Sequence, residues 1–176
     1  MSWPLALIAF NRPWYLEQTL KSLISQKEAD PPEPIALFCD GAVNPKSGER
    51  YATDSEVRLT IATFRRLCPK GEVFDSALNI GIAANIDRAE RWAFLDLKAE
   101  AALIFEDDLV VTPWYLRALY ELIDLALEDE RIGSEPDKGL EGCIGCSLAG
   151  HAFANRENAQ LPAGFSLQGR KWDWSD

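Results

Sequence analysis

Three consecutive carboxylates, Glu106-Asp107-Asp108, stand between the apolar runs ALIF and Leu109-Val110-Val111. Charge set among apolar neighbours needs an opposite charge or a metal ion. In an extended chain alternate side chains point to opposite sides, so Glu106 and Asp108 share one side and Asp107 takes the other. The three cannot serve one ion equally: one or two are expected to bind a cation while another hydrogen-bonds a ligand. Hard carboxylate oxygens suit Mg²⁺ or Mn²⁺, ions that keep positions open for water and substrate phosphates. The triplet thus implies a phosphate-bearing ligand, against the simpler reading of a solvated acidic turn at a strand end.

Arg12, Asp40 and Asn79 each stand at or just after the end of an apolar run. The planar fork of Arg12 could pair with a diphosphate, and Asp40 could accept from a base N–H or a ribose hydroxyl. Taken singly, Arg12 reads as a surface charge, and Asp40 and Asn79 as turn formers with Gly41 and Gly81. Arg88, three positions after Asn85, reads as a solvated charge on a polar helix face. Cys143-Ile144-Gly145-Cys146 has the spacing of a redox pair or half a zinc site. A second close ligand pair is missing, so a buried strand is the favoured reading.

The elements that must position these residues alternate short apolar runs with helix-period segments, the pattern of βαβ units and a mostly parallel sheet. LALIAF at 5–10 reads as a strand buried on both faces. Pro13 then opens a helix whose Leu16, Leu20, Leu23 and Ile24 form one stripe. IALFCD gives a second strand ending on Asp40-Gly41. Thr53 and Glu56 have capping-box spacing ahead of a stripe of Val57, Ile61 and Phe64. Residues 72–78 are expected to form a third strand. Asn79-Ile80-Gly81 turns into a helix carrying Ile82, Ile86, Ala89 and Ala93. ALIF at 102–105 is the next strand, and Thr112 and Pro113 cap and start a helix with Leu116, Leu119, Ile123 and Leu127 inward. A surface loop over 129–142 and a short strand CIGCSL come next. In open parallel sheets ligands bind beyond the carboxyl ends of the strands, which brings Arg12, Asp40, Asn79 and Asp108 to one place.

With 176 residues, 47% hydrophobic and 26% charged, the chain has the size and composition of one globular domain. A net charge of −10 excludes broad electrostatic attraction for nucleic acid. MSWPLALIAF lacks the basic segment and cleavage site of a signal peptide. No apolar run reaches the ~20 residues of a membrane span. Four cysteines are too few for a disulfide scaffold, so reduced thiols and a location in the cytoplasm, or peripheral to the membrane, are expected.

PLALIAFNRP, PIALFCDG and ALIFEDDLVVTPWYLRAL, in that order, resemble a glycosyltransferase of the GT-A fold. The nearest types are N-acetylglucosaminyltransferase I and its bacterial family 2-like relatives, and the likeness covers roughly residues 4–150. The resemblance implies an α/β fold with a mostly parallel sheet flanked by helices, and a nucleoside-diphosphate sugar as donor. By it, Arg12 approaches the diphosphate, Asp40 holds the nucleobase, Asp108 binds Mn²⁺ or Mg²⁺, and Glu106 and Asp107 touch sugar or ribose. Family members continue into an acceptor half with a catalytic carboxylate in inverting enzymes. Residues 151–176, ending KWDWSD, would be the start of that half within one 1–176 domain, with Asp173 and Asp176 as candidate bases.

The expected chemistry is hexosyl or N-acetylhexosaminyl transfer from a nucleotide sugar, with uridine the expected nucleoside, to a saccharide or other hydroxyl acceptor. The metal would stabilise the departing diphosphate. His151, the only histidine, has no Ser or Cys partner at a strand-to-helix elbow and is a candidate third metal ligand. Two alternatives stand beside this reading. A non-catalytic nucleotide-sugar-binding module would keep the donor side and lack the acceptor half. A nucleotidyltransferase would also use carboxylate-held metal, but AFNRPWYLE has no glycine for a phosphate loop.

Overall fold

Leu5–Ala9 carries no polar side chain, and the strand it forms is buried at every position. That strand, β1, lies inside a parallel sheet with β2 (Ile35–Cys39), β3 (Glu72–Asp75) and β4 (Leu103–Glu106) in the order β3-β2-β1-β4. A computed structural model describes residues 2–128 of the chain. Two compact units are separated there, Met1–Ala118 and Leu119–Asp176, and all the strands above belong to the first. Register runs Leu5↔Ile35 to Ala9↔Cys39 on one side of β1 and Leu5↔Leu103 to Ile8↔Glu106 on the other.

Parallel neighbours need crossovers, and helices supply them: α1 (Pro13–Ile24), α2 (Asp54–Leu67) and α3 (Ile82–Arg91), which continues as a π-helical turn over Trp92–Asp96. Even-numbered strand positions Ala6, Ile8, Ala36 and Phe38 form a core cluster with Ala89, Trp92 and Ala93. Phe38 stacks on Phe74 with centroids 4.8 Å apart, and Trp92 meets both edge-on. Odd positions such as Leu5, Leu7 and Leu37 turn to the opposite face and are fully buried. α2 packs against β2, and α1 against α2.

Within this frame several expectations shift by a fraction of a helical turn. Leu16, Leu20 and Leu23 are buried, but Ile24 is exposed because the buried arc of α1 is rotated toward Thr19. In α2 Phe64 is buried while Val57 and Ile61 are only half-buried, since Thr60 and Thr63 occupy the inner face. The Thr53 capping box is present: the Thr53 hydroxyl accepts from the Glu56 N–H at 3.2 Å, and Glu56 accepts from the Thr53 N–H at 2.8 Å. The bond from the Thr53 N–H first, and then one that the Thr53 hydroxyl donates to the same carboxylate at 2.8 Å, hold the Glu56 carboxyl below the usual glutamate range. In α3 Ile82 is exposed, and the inner face runs through Asn85, Ala89 and Ala93.

The third strand stops at Asp75, short of residue 78. Beyond it the chain is drawn to the end of β2, with the Ser76 N–H on the Cys39 carbonyl at 2.9 Å and the Gly41 N–H on the Leu78 carbonyl at 3.1 Å. The fourth helix, α4, spans Tyr115–Glu128 and starts two residues later than expected. Thr112 closes a turn instead of capping it, its carbonyl accepting from the Tyr115 N–H at 3.1 Å. Leu116, Leu119 and Ile123 are buried, whereas Leu127 is exposed. The 129–142 loop, the CIGCSL strand with Cys143 and Cys146, His151, Asp173 and Asp176 lie outside the described residues. Cys39 and Cys68 are free thiols, pushed by burial to about 12 and about 11. No helix among the described residues is long and apolar enough to cross a membrane.

Gly41 is where two loops touch: a Cβ there would sit 2.6 Å from the Leu78 nitrogen and 2.7 Å from the Ala77 carbonyl. Backbone cannot swing aside as a side chain can. Gly41→Ala should therefore destabilise the protein by about 1–3 kcal/mol. Thr53→Ala, which removes only a cap, should cost about 1 kcal/mol. Urea denaturation of both variants tests that ranking.

Candidate active site

At the carboxyl edge of the sheet the chain leaves β1 through Asn11-Arg12 and enters α1 at Pro13. Arg12 has no side-chain cap to make and turns its guanidinium to the neighbouring strand end. Nη2 and Nε both bind the Asp107 carboxylate, the latter at 3.3 Å, and Nη1 reaches Asp108 at 3.1 Å. One face of the guanidinium lies over the Tyr15 ring, 5.4 Å from its centroid. The cation that the triplet demands is thus supplied by the chain itself, at least for Asp107.

The strand ends at Glu106, and Asp107 and Asp108 lie in the turn after it instead of continuing the extended chain expected; Glu106 is exposed, Asp107 buried and Asp108 exposed. Asp107 is 1% exposed, and that burial, with the charge of Asp108 adding to it, holds its carboxyl above the usual aspartate range. Arg12 and the Phe10 N–H pull the other way without prevailing. Arg12 is raised in turn, chiefly by its bond to Asp107, and stays charged.

A polar seam on α1 and the residues just after it fixes the segment that follows the triplet. The Thr19 hydroxyl donates to the Asp107 carbonyl at 2.8 Å. Ser22 Oγ accepts from the Val111 N–H at 3.1 Å. Gln26 donates to the Thr112 carbonyl and accepts from the Leu116 N–H, both at 2.9 Å. The Lys27 N–H closes the seam on the Pro113 carbonyl at 2.7 Å.

Asp40, 6% exposed at the end of β2, accepts from two backbone N–H groups: Ile80 at 2.7 Å on one oxygen and Gly81 at 3.0 Å on the other. It clamps the turn that carries Asn79 and starts α3, where Gly81 takes φ +85, a conformation favouring glycine. Each oxygen keeps a further lone pair for a ligand. Arg88 is not the solvated charge expected: it donates to Asn85 Oδ1 at 3.0 Å and to the Phe74 carbonyl at 3.3 Å, over the Phe38 ring.

Arg12, Asp40, Asn79, Glu106 and Asp107 all line one cleft of about 340 Å³. Asp108 adjoins it through its bond to Arg12. Besides Ile8, Ala9 and Phe10 of the first strand and the residue after it, the lining residues not anticipated include Tyr51, Ile82 and Asn85. Asn85 carried a signal, a polar residue four positions before buried Ala89, on the inner face of its helix. Tyr51 carried none, since it stands in a loop without periodicity. Among the described residues no group of three or more His, Cys, Asp or Glu side chains could hold a metal ion unaided. An ion here would rest on Asp108, with the remaining positions filled by ligand oxygens and water, a style of binding that suits Mg²⁺ and its like.

Removing Arg12 leaves Asp107 buried without its main counter-charge. Arg12→Ala should destabilise by roughly 1–3 kcal/mol at neutral pH, less than a fully buried pair because Arg12 is half-exposed. Asp107 already titrates above its unfolded value, so its charged form costs stability above the folded pKa, and that cost is relieved as pH falls. The deficit of Arg12→Ala should therefore shrink on acidification, and Asp107→Asn should recover much of it at pH 7. Urea denaturation at pH 7 and pH 5 measures both effects.

No protein-family model matches the chain, and no curated protein matches it. Solved structures do. S. aureus TarS superposes with a TM-score of 0.52 at 18% identity, covering 73% of this chain and 20% of that one. TarS 1-349 gives 0.52 at 17% identity, and TarS 1-349 in complex with UDP gives 0.50 at 16%, each covering 72% of this chain and 33% of the other. The chain thus spans a fifth to a third of the length of these structures. What the likeness establishes is the fold: the α/β architecture with a parallel sheet flanked by helices that the GT-A resemblance implies.

Proposed function

We propose that the chain is the nucleotide-sugar-binding part of a metal-dependent glycosyltransferase, with a UDP-sugar as donor and a saccharide or other hydroxyl compound as acceptor. One observation carries this reading: the ends of β1, β2 and β4 bring the Arg12 guanidinium, Asp40, Glu106 and Asp107 into a single cleft, with Asp108 beside it on the same guanidinium. The fold shared with TarS, one of whose structures is in complex with UDP, supports it. Hexosyl or N-acetylhexosaminyl transfer is the class of reaction that fits.

Glu106 and Asp108 turn hard oxygens to the solvent side, and Asp108, with Arg12 on one of its oxygens, is the ligand proposed for Mn²⁺ or Mg²⁺, as the GT-A resemblance implies. Bound there, the ion would neutralise negative charge gathering on the departing diphosphate. The chain's own residues do the placing. Arg12 holds a fixed positive charge beside Asp108 and keeps its direction. Asp40 presents its remaining lone pairs at the nucleoside end. Asn79 offers an amide donor and acceptor on the turn that Asp40 clamps, and Glu106 faces the sugar side. The free buried thiols Cys39 and Cys68 are compatible with a reducing, cytoplasmic setting.

Calorimetric titration with UDP and UDP-sugars, in Mn²⁺ and in chelator, tests the reading. Binding should require the ion, and Asp108→Asn should abolish the metal-dependent part while leaving the melting temperature near that of the parent chain. Metal-dependent binding unchanged in a folded Asp108→Asn protein would show that the triplet is not the metal site.

A further inference from the structure

Tyr51 is a large aromatic side chain left 46% exposed, yet it is not a loose surface residue. It closes the hairpin after β2, in which Val43 and Arg50 form an antiparallel bridge. Its N–H donates to the Ala42 carbonyl at 2.9 Å, and its hydroxyl accepts from Asn44 Nδ2 at 3.0 Å. Asn44 is itself fully engaged. Its Oδ1 accepts from the Lys46 and Ser47 N–H groups at 2.8 and 3.0 Å, its N–H donates to Glu49, and its carbonyl accepts from Gly48. In the chain Tyr51 is followed by buried Ala52 and the Thr53 capping box. The hairpin is tied to the cleft wall by the Asn79 N–H, which donates to the Val43 carbonyl at 2.8 Å.

These bonds fix a half-exposed ring where it lines the same cleft as Asp40 and Asn79. The hydroxyl is tethered as an acceptor to Asn44 and keeps its own proton to donate, and beside it the half-exposed ring offers apolar area to a ligand. A flat apolar surface beside a carboxylate and an amide fits a flat ligand with polar edges. We infer that Tyr51 is the platform on which the nucleobase of the donor stacks, with Asp40 and Asn79 beside it to meet polar edges of the nucleoside. This rests on the nucleotide-sugar reading above and adds to it a residue and a hairpin that hold the base.

The test is calorimetry on the whole chain with Mg²⁺ and three probes: UDP, uridine and inorganic diphosphate. Tyr51→Ala should weaken UDP and uridine by about 10- to 100-fold, the range expected for loss of one base-stacking contact. It should leave inorganic diphosphate unchanged. Tyr51→Phe keeps the ring and should stay within about 5-fold of the parent chain, while Asn44→Ala, which frees the ring, should fall between the two. Thermal melts of each variant identify any general loss of fold. If the parent chain binds UDP and Tyr51→Ala binds it as tightly, or loses diphosphate to the same degree, the stacking role is wrong and the nucleotide-sugar reading stands. If the parent chain binds neither UDP nor uridine, both fall.

Discussion

The ion pair between Arg12 and Asp107 is the constraint on which the site depends. Asp107, buried just past the end of β4, needs a cation, and the parallel register of β1 with β4 sets one within reach. Arg12 stands where β1 gives way to α1, so the same residue that ends one strand neutralises the end of the next. Its third nitrogen extends the pairing to Asp108, and in doing so gives direction to a carboxylate that is otherwise exposed. The guanidinium is therefore both a structural counter-ion and part of the electrostatics any ligand would meet.

Asp40 plays a matching part at the other side of the cleft. By accepting two successive backbone N–H groups it joins the end of β2 to the start of α3, across forty residues of sequence. Gly41 allows the loops to meet at backbone distance, and Gly81 turns the chain into the helix. Two carboxylates from different strands, one satisfied by a side chain and one by the main chain, thereby frame a cleft whose floor is the apolar end of β1.

Much of this was legible in the sequence. The strands expected from LALIAF, IALFCD and ALIF appear within one residue of those bounds, as Leu5–Ala9, Ile35–Cys39 and Leu103–Glu106, and the Pro13 helix start and the Thr53 box appear where their patterns place them, because each rests on local chemistry: apolar continuity, a fixed φ, a reciprocal cap. Convergence of Arg12, Asp40, Asn79 and the triplet came from a rule about parallel sheets. The partner of each group escaped such reading. Nothing local says that Arg12 meets Asp107 ninety-five positions away, that Asp40 spends its oxygens on Ile80 and Gly81, or that Thr19 and Thr60 lie inward while Ile24 and Ile82 face out. Those outcomes depend on pairing between elements. A polar residue buried at helical spacing, such as Thr19 or Asn85, is the trace they leave in the sequence, and it is easily mistaken for a surface position.

The seam of Thr19, Ser22 and Gln26 has a consequence for how this region can change. It grips the main chain of residues 107–116 and almost none of their side chains, and Leu109, Val110 and Trp114 accordingly stand exposed. The path of the segment is thus written in another helix. Substitutions at those outward positions can alter the surface that follows the triplet in the chain without displacing the carboxylates before it, so that surface and the placement of the charges can diversify independently.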